Sequence, residues 1–169
     1  MTREGHVFTT LPSMKTLIKS LALVLLASAA LVHAGDFPKG SPKFESSLRS
    51  ALNDAKKNGK PIVAVYSAVW CGPCQSMKNN VYPSDAVKPL HDKFNWAYLD
   101  SDDKRNAKDK EKFGVSGIPH IEFLNAAGES VGKQVGSSSP ESFAKKLNDV
   151  LAKAGTAAPA TASADSTKK

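Results

Sequence analysis

The chain has 169 residues, 41% of them hydrophobic and 23% charged, and a formal net charge of +7. That size and composition describe one globular domain with tails, able to bury a core. The positive charge is not a patch: through Asp100–Lys112 lysine and arginine alternate with acids as on a solvated helix face, which excludes a nucleic-acid-binding surface.

From Met14 the sequence reads MKTLIKSLALVLLASAALVHAG. Lys15 and Lys19 give a basic opening, Leu21–Val32 an uncharged apolar run, and Val32-His33-Ala34 small or modest residues before a cut. This is the layout of a secretory leader over residues 1–34, cleaved after Ala34. The alternative, a membrane anchor, needs a span of ~20 apolar residues, more than the run supplies. Residues 1–13 lack leader character, so Met14 is a candidate start. Loss of three bases (Arg3, Lys15, Lys19) and one acid (Glu4) takes the charge from +7 to +5.

A globular domain is expected over residues 35–154. Ser41-Pro42 reads as a helix start, with Phe44, Leu48, Leu52 and Ala55 at helical spacing and Asn58-Gly59 as the stop. Pro61–Ser67, PIVAVYS, is a continuous β-rich run, as in a strand covered on both faces. A second helix opens at the cysteines and runs to about Asn80. Ser84 is then placed to cap a helix containing Val87, Leu90 and Phe94. Asn95–Leu99 predicts a strand, and Asp103–Phe113 a charged helix. His120–Leu124 and Glu129–Val135 predict a hairpin about a turn at Asn125–Gly128. Ser139-Pro140 starts a last helix with Phe143, Leu147, Val150 and Leu151 on one face. Residues 155–169 carry no large apolar side chain and are expected to form a disordered tail. Crossovers make the first two strands parallel and the hairpin adds antiparallel ones, so the fold class is α/β: a mixed four- to five-stranded sheet with helices on both faces.

The chemistry lies in Trp70-Cys71-Gly72-Pro73-Cys74, which holds both cysteines of the chain. Three roles are open: a structural staple, half a metal site, or a redox pair. A bridge closing so short a loop constrains the unfolded chain little, which disfavours the staple. A structural zinc site wants four ligands. His120 is a third candidate beside the two thiols, but no convincing fourth exists. A redox pair has a physical rationale. Cys71 would sit at a helix N-terminus, where unpaired N–H groups and the macrodipole favour a thiolate. Such positions lower a cysteine pKa from ~8.5 to roughly 3.5–7.5. Cys74, one turn in, would be shielded and react second. Gly72 tolerates the tight entry, and Pro73 lacks an N–H the helix would leave unpaired.

Trp-Cys-Gly-Pro-Cys after a buried strand, with Gly117-Ile118-Pro119 before a later one, resembles thioredoxin over about Phe44–Ala152. The stretch KPIVAVYSAVWCGPC and the hairpin turn are most similar to secreted thioredoxin-like proteins and to the C-terminal domain of a bacterial transmembrane disulfide reductase. The resemblance implies a thioredoxin fold and an exported, periplasmic or secreted, thiol–disulfide oxidoreductase. It implies Cys71 as nucleophile, Cys74 as resolving thiol and Pro119 as a cis-proline facing them. It also implies a substrate surface about Trp70, Ile118 and Pro119. The redox-active disulfide is the only prosthetic element expected, with no metal and no other cofactor.

Two positions depart from the family. Where most thioredoxins bury an acid six residues before the first cysteine, this chain has Val65, which predicts slower deprotonation of Cys74. Where threonine often follows the proline, it has His120. This histidine either stabilises the Cys71 thiolate or points elsewhere, and Glu122 on the same strand face is a candidate for the missing carboxylate. His91 and Trp96 read as structural.

Gly-Pro between the cysteines and Ile118 before the proline resemble the reducing members, so reduction of protein disulfides is the favoured direction. The partners expected are protein thiols or disulfides and a membrane-bound electron donor. No dimerisation segment is evident and a monomer is expected. The alternatives are an oxidase or isomerase of the same fold, and a non-catalytic binding or chaperone module.

Overall fold

The run Ile62–Ser67, read as a doubly covered strand, is buried along its whole length and forms the centre of a sheet. The computed structural model describes residues 37–156. This central strand, β2, follows the short β1 (Phe44–Glu45) and precedes β3 (Asn95–Asp100), β4 (His120–Leu124) and β5 (Ser130–Val135). The sheet order is β1-β3-β2-β4-β5. β3 runs parallel to β1 and β2, while β4 is antiparallel to β2 and β5 to β4. The mixed sheet falls within the four to five strands expected, its fifth strand, β1, being the one the sequence did not mark.

Alternation along β2 sorts the core into two layers. Ile62, Ala64 and Tyr66 pack with Leu48, Ala51 and Ala55 of helix α1 (Leu48–Asn58). Val63 and Val65 face the other way, against Met77, Val81, Phe143 and Leu147. Met77 and Val81 belong to a π-helical turn (Met77–Val81) that continues α2 (Gly72–Ser76). Phe113 of α3 (Ala107–Phe113) joins the first layer, and Phe143 and Leu147 lie on α4 (Pro140–Thr156). Full burial of each such side chain contributes about 1.5–3 kcal/mol. Helices therefore cover both faces.

The first helix starts later than expected. Ser41-Pro42 does not cap it: Ser47 does, its hydroxyl accepting the Ser50 N–H at 3.1 Å. Phe44, spaced four before Leu48, sits instead in β1 opposite Trp96. Its ring stacks on Phe37 at 4.5 Å and meets Tyr82, Trp96 and Tyr98 edge-on at 5.5–5.7 Å. Phe44 and Leu48 thus serve opposite layers, which one helix face cannot do.

Ser84 does not cap by its side chain either. Its hydroxyl donates to the Val81 carbonyl at 2.6 Å, while its own carbonyl accepts from Val87 and Lys88. The chain then winds into a 3₁₀ helix over Lys88–Lys93 with Pro89 in its first turn, a position that needs no N–H. The last helix also continues through Gly155 to Thr156, past the boundary expected at 154. The expected leader, the Met14 start and the tail beyond Thr156 lie outside the described residues.

Candidate active site

β2 delivers the chain to the site through Ala68-Val69-Trp70, a turn closed by Cys71 N–H to the Ala68 carbonyl at 3.2 Å. Gln75 reaches back from α2 and donates to the same carbonyl at 2.9 Å. Cys71 is the N-cap of α2, extended at φ −84° and ψ 102°, and Pro73 occupies the first turn. The two cysteines are joined in a disulfide. The Cys74 N–H points at Cys71 Sγ, 3.3 Å away. This geometry aims an amide dipole and the helix N-terminus at the sulfur, which favours negative charge there once the bond is reduced. Cys74, 1% exposed against 5% for Cys71, is the deeper of the two.

The second wall is the Ile118–Pro119 loop, whose peptide bond is cis. The Ile118 carbonyl oxygen lies 3.8 Å from Cys71 Sγ, and the Ile118 side chain packs on the cluster of Ala68, Cys71 and Cys74. The Pro119 carbonyl accepts the Gly136 N–H at 2.8 Å, fastening the loop to the far end of β5. Trp70 stands on the rim at 68% exposure beside the still more open Val69. Its indole N–H donates to Asp102 at 2.7 Å. Trp70, Cys71, Gly72, Pro73, Cys74, Ile118 and Pro119 thus come together at one end of the sheet.

Sequence reasoning missed Asp102, Gln75 and the Ser67–Tyr98 pair. Asp102 follows β3, far from Trp70 in the chain but beside it once β3 and β2 pair in parallel. The hydroxyls of Ser67 and Tyr98 lie 2.5 Å apart. Burial raises the Tyr98 pKa, and its hydrogen bonds to Ser67 and Gln75 offset part of the rise. Val65 is buried opposite Tyr98 and Ile121, so the position that is acidic in most thioredoxins has uncharged neighbours on both adjacent strands.

His120 does not face the cysteines. It pairs across the sheet with Tyr66, meets that ring edge-on at 5.9 Å, and so shares the layer of α1. Its Nε2 bonds Glu122 Oε2 at 2.8 Å, and the Ser130 hydroxyl donates to Glu122 Oε1. The reason is strand alternation: Ile121 takes the layer of Val65 and α2, leaving His120 and Glu122 on the opposite one. Glu122 accordingly does not replace the missing acid. His91 is structural, bonded at 2.8 Å to the Tyr82 carbonyl, and Trp96 is buried core. Among the described residues no three histidines, cysteines or acids are grouped to hold a metal ion.

The thioredoxin-like domain family matches residues 48–151. The chain is 32% identical over 99 residues to the chloroplastic thioredoxin-like protein HCF164 of Arabidopsis thaliana, covering 59% of this chain and 37% of that one. A thiol:disulfide interchange protein TxlA homolog of Synechocystis is 28% identical over 119 residues, covering 69% of this chain and 65% of its own. The chain thus spans less than two thirds of these relatives' lengths. Among solved structures, a thioredoxin from Thermus thermophilus superposes with a TM-score of 0.62 at 27% identity, over 69% of this chain and 92% of that one.

Proposed function

This chain belongs to the thioredoxin superfamily, with that superfamily's fold and CxxC pair, and on that premise we propose that it is an exported reductase of protein disulfides. The observation that carries the reading is Cys71 at the mouth of α2, facing the Ile118 carbonyl, with Cys74 sealed behind it. In the reduced protein the Cys71 thiolate attacks one sulfur of a substrate disulfide, and the other substrate sulfur leaves as a thiolate. Cys74, on losing its proton, attacks Cys71 Sγ. The second substrate thiol is released, and the Cys71–Cys74 bond remains as in the structure. Two electrons pass to the substrate in each cycle. Pro119 and the Ile118 backbone hold an extended substrate chain against Cys71, and Trp70 and Val69 supply apolar contact.

Reduction, rather than oxidation, is supported by Gly72-Pro73 between the cysteines and by Ile118 before the cis-proline. Export is supported by the leader pattern of residues 1–34. Outside the cytoplasm the disulfide has to be reduced again, which calls for a membrane-bound electron donor. The protein is expected to act as a monomer.

Insulin reduction in the presence of dithiothreitol tests the reading. The wild type should precipitate insulin, Cys71→Ser should not, and Cys74→Ser should accumulate a mixed disulfide with substrate. Equal activity of wild type and Cys71→Ser would overturn the enzymatic reading in favour of a binding module. Equilibration with glutathione then gives the direction. A potential near that of thioredoxin, about −270 mV, supports a reductase, and one near −120 mV an oxidase.

A further inference from the structure

We propose that the buried pair His120 and Glu122, anchored on Ser130 at the exposed edge strand, forms a tether that positions the Ile118–Pro119 loop for polypeptide substrates, an inference that rests on the disulfide-exchange reading above. His120 and Glu122 are polar where their surroundings are not, while Ser130 is exposed on the edge strand. Ile62, Ala64 and Leu124 share their layer, and the His120 and Glu122 side chains are 1% and 3% exposed. Two buried ionisable residues bonded to each other cost more than apolar residues of the same size, so stability does not account for them.

Their place in the chain supplies a role. His120 follows Pro119 directly, so the direction of its side chain fixes the first peptide plane of β4. Its Nε2 is held by Glu122 Oε2. The other Glu122 oxygen accepts the Ser130 hydroxyl from β5. β5 in turn leads into Gly136, whose N–H donates to the Pro119 carbonyl. The loop is therefore tied to the edge strand twice, once through backbone and once through side chains.

His120 Nδ1 and the neighbouring Tyr66 hydroxyl are left without partners in the core. Tyr66 stays protonated: burial, and then the charges of Asp109 and Glu122, push its pKa far up. Lys133 lies directly opposite Glu122 on β5, but is exposed. The tether thus has two fixed ends, the Pro119–His120 junction and the edge strand. It acts on the sulfurs only through the loop, whose Ile118 oxygen is the atom facing Cys71.

A positioning role separates two kinds of substrate. An extended polypeptide uses the loop; a small aromatic disulfide such as a dithiobis-nitrobenzoate reagent needs only the thiolate. Glu122→Ala is expected to raise KM for insulin about tenfold, since misplacing a binding edge by a fraction of an ångström is costly. Its rate with the small disulfide should stay within about twofold of wild type. Ser130→Ala, which cuts only the β5 end, should give a smaller loss of the same kind. Glu122→Gln should restore most of the insulin KM, because an amide still bridges the other two residues.

If Glu122→Ala does not fold, Ser130→Ala and Glu122→Gln carry the comparison. Unchanged insulin kinetics in Ser130→Ala would overturn the tether while leaving the reductase intact. An equal fall with both disulfides would do so as well. A wild type inert toward both substrates would instead remove the disulfide-exchange reading, and the tether with it.

Discussion

Val65 shows how much one side chain decides. It is fully enclosed under α2, where a carboxylate could take the proton of Cys74 but would have to be desolvated. Val65→Asp is therefore expected to speed release of the mixed disulfide and to cost roughly 3 kcal/mol of stability through its buried charge. Stopped-flow fluorescence and urea denaturation measure the two effects. A slower or unchanged release would mean that Cys74 loses its proton by another route. His91 carries a second residue-level expectation. Burial depresses its pKa below the usual 6.5, outweighing the opposite pull of its bond to the Tyr82 carbonyl. The native protein then holds the ring neutral, while the unfolded chain protonates it near the ordinary value. Its contribution is complete above about pH 6.5 and is lost as pH falls through the depressed native value. Urea midpoints should drop between pH 7.5 and 5.5, and His91→Gln should flatten that drop.

The turn between β4 and β5 depends on Gly128, at φ +85° with the position of a missing Cβ 2.6 Å from Leu52 Cδ2. The left-handed backbone alone makes Gly128→Ala cost about 1–2 kcal/mol, and Leu52 of α1 must shift as well. At the other end of the same layer, Ser47→Ala should remove the α1 cap for about 1 kcal/mol. Denaturation midpoints of the two variants check both. These elements differ in how far the sequence discloses them. β2 and the cysteine helix were legible because a continuous β-rich run leading into Cys-Gly-Pro-Cys has few other physical readings. The pairing of His120 with Glu122 on one face was legible from alternation. Which face was not, because β4 is buried on both sides and HIEFL offers no wet side to orient it. β1 was hidden for a different reason: two residues are too short to show a period, and Phe44 falls by coincidence on the spacing of α1. Asp102 was invisible because only strand pairing brings it to Trp70.

For the molecule as a whole, the disulfide closes so small a loop that its effect on chain entropy is below the ~3 kcal/mol of a fifteen-residue loop. The folded thiolate at the α2 N-terminus offsets part of that. Melting temperatures with and without reductant are therefore expected to lie within about 10 °C, the oxidised form higher. Since the stability difference between the two forms is also the bias of the cysteine couple relative to the unfolded chain, a reduced form that melts higher would argue for an oxidase.

The two tryptophans give this redox cycle a built-in optical reporter. Trp96 is enclosed among Phe44, Phe94 and Phe143, while Trp70 stands in water one residue before Cys71, its ring anchored by Asp102. An excited indole loses its energy to an adjacent disulfide, and a wet indole emits at longer wavelength than a dry one. Reduction should brighten the red side of the emission spectrum and leave the blue side as an internal reference, so turnover can be followed without a label.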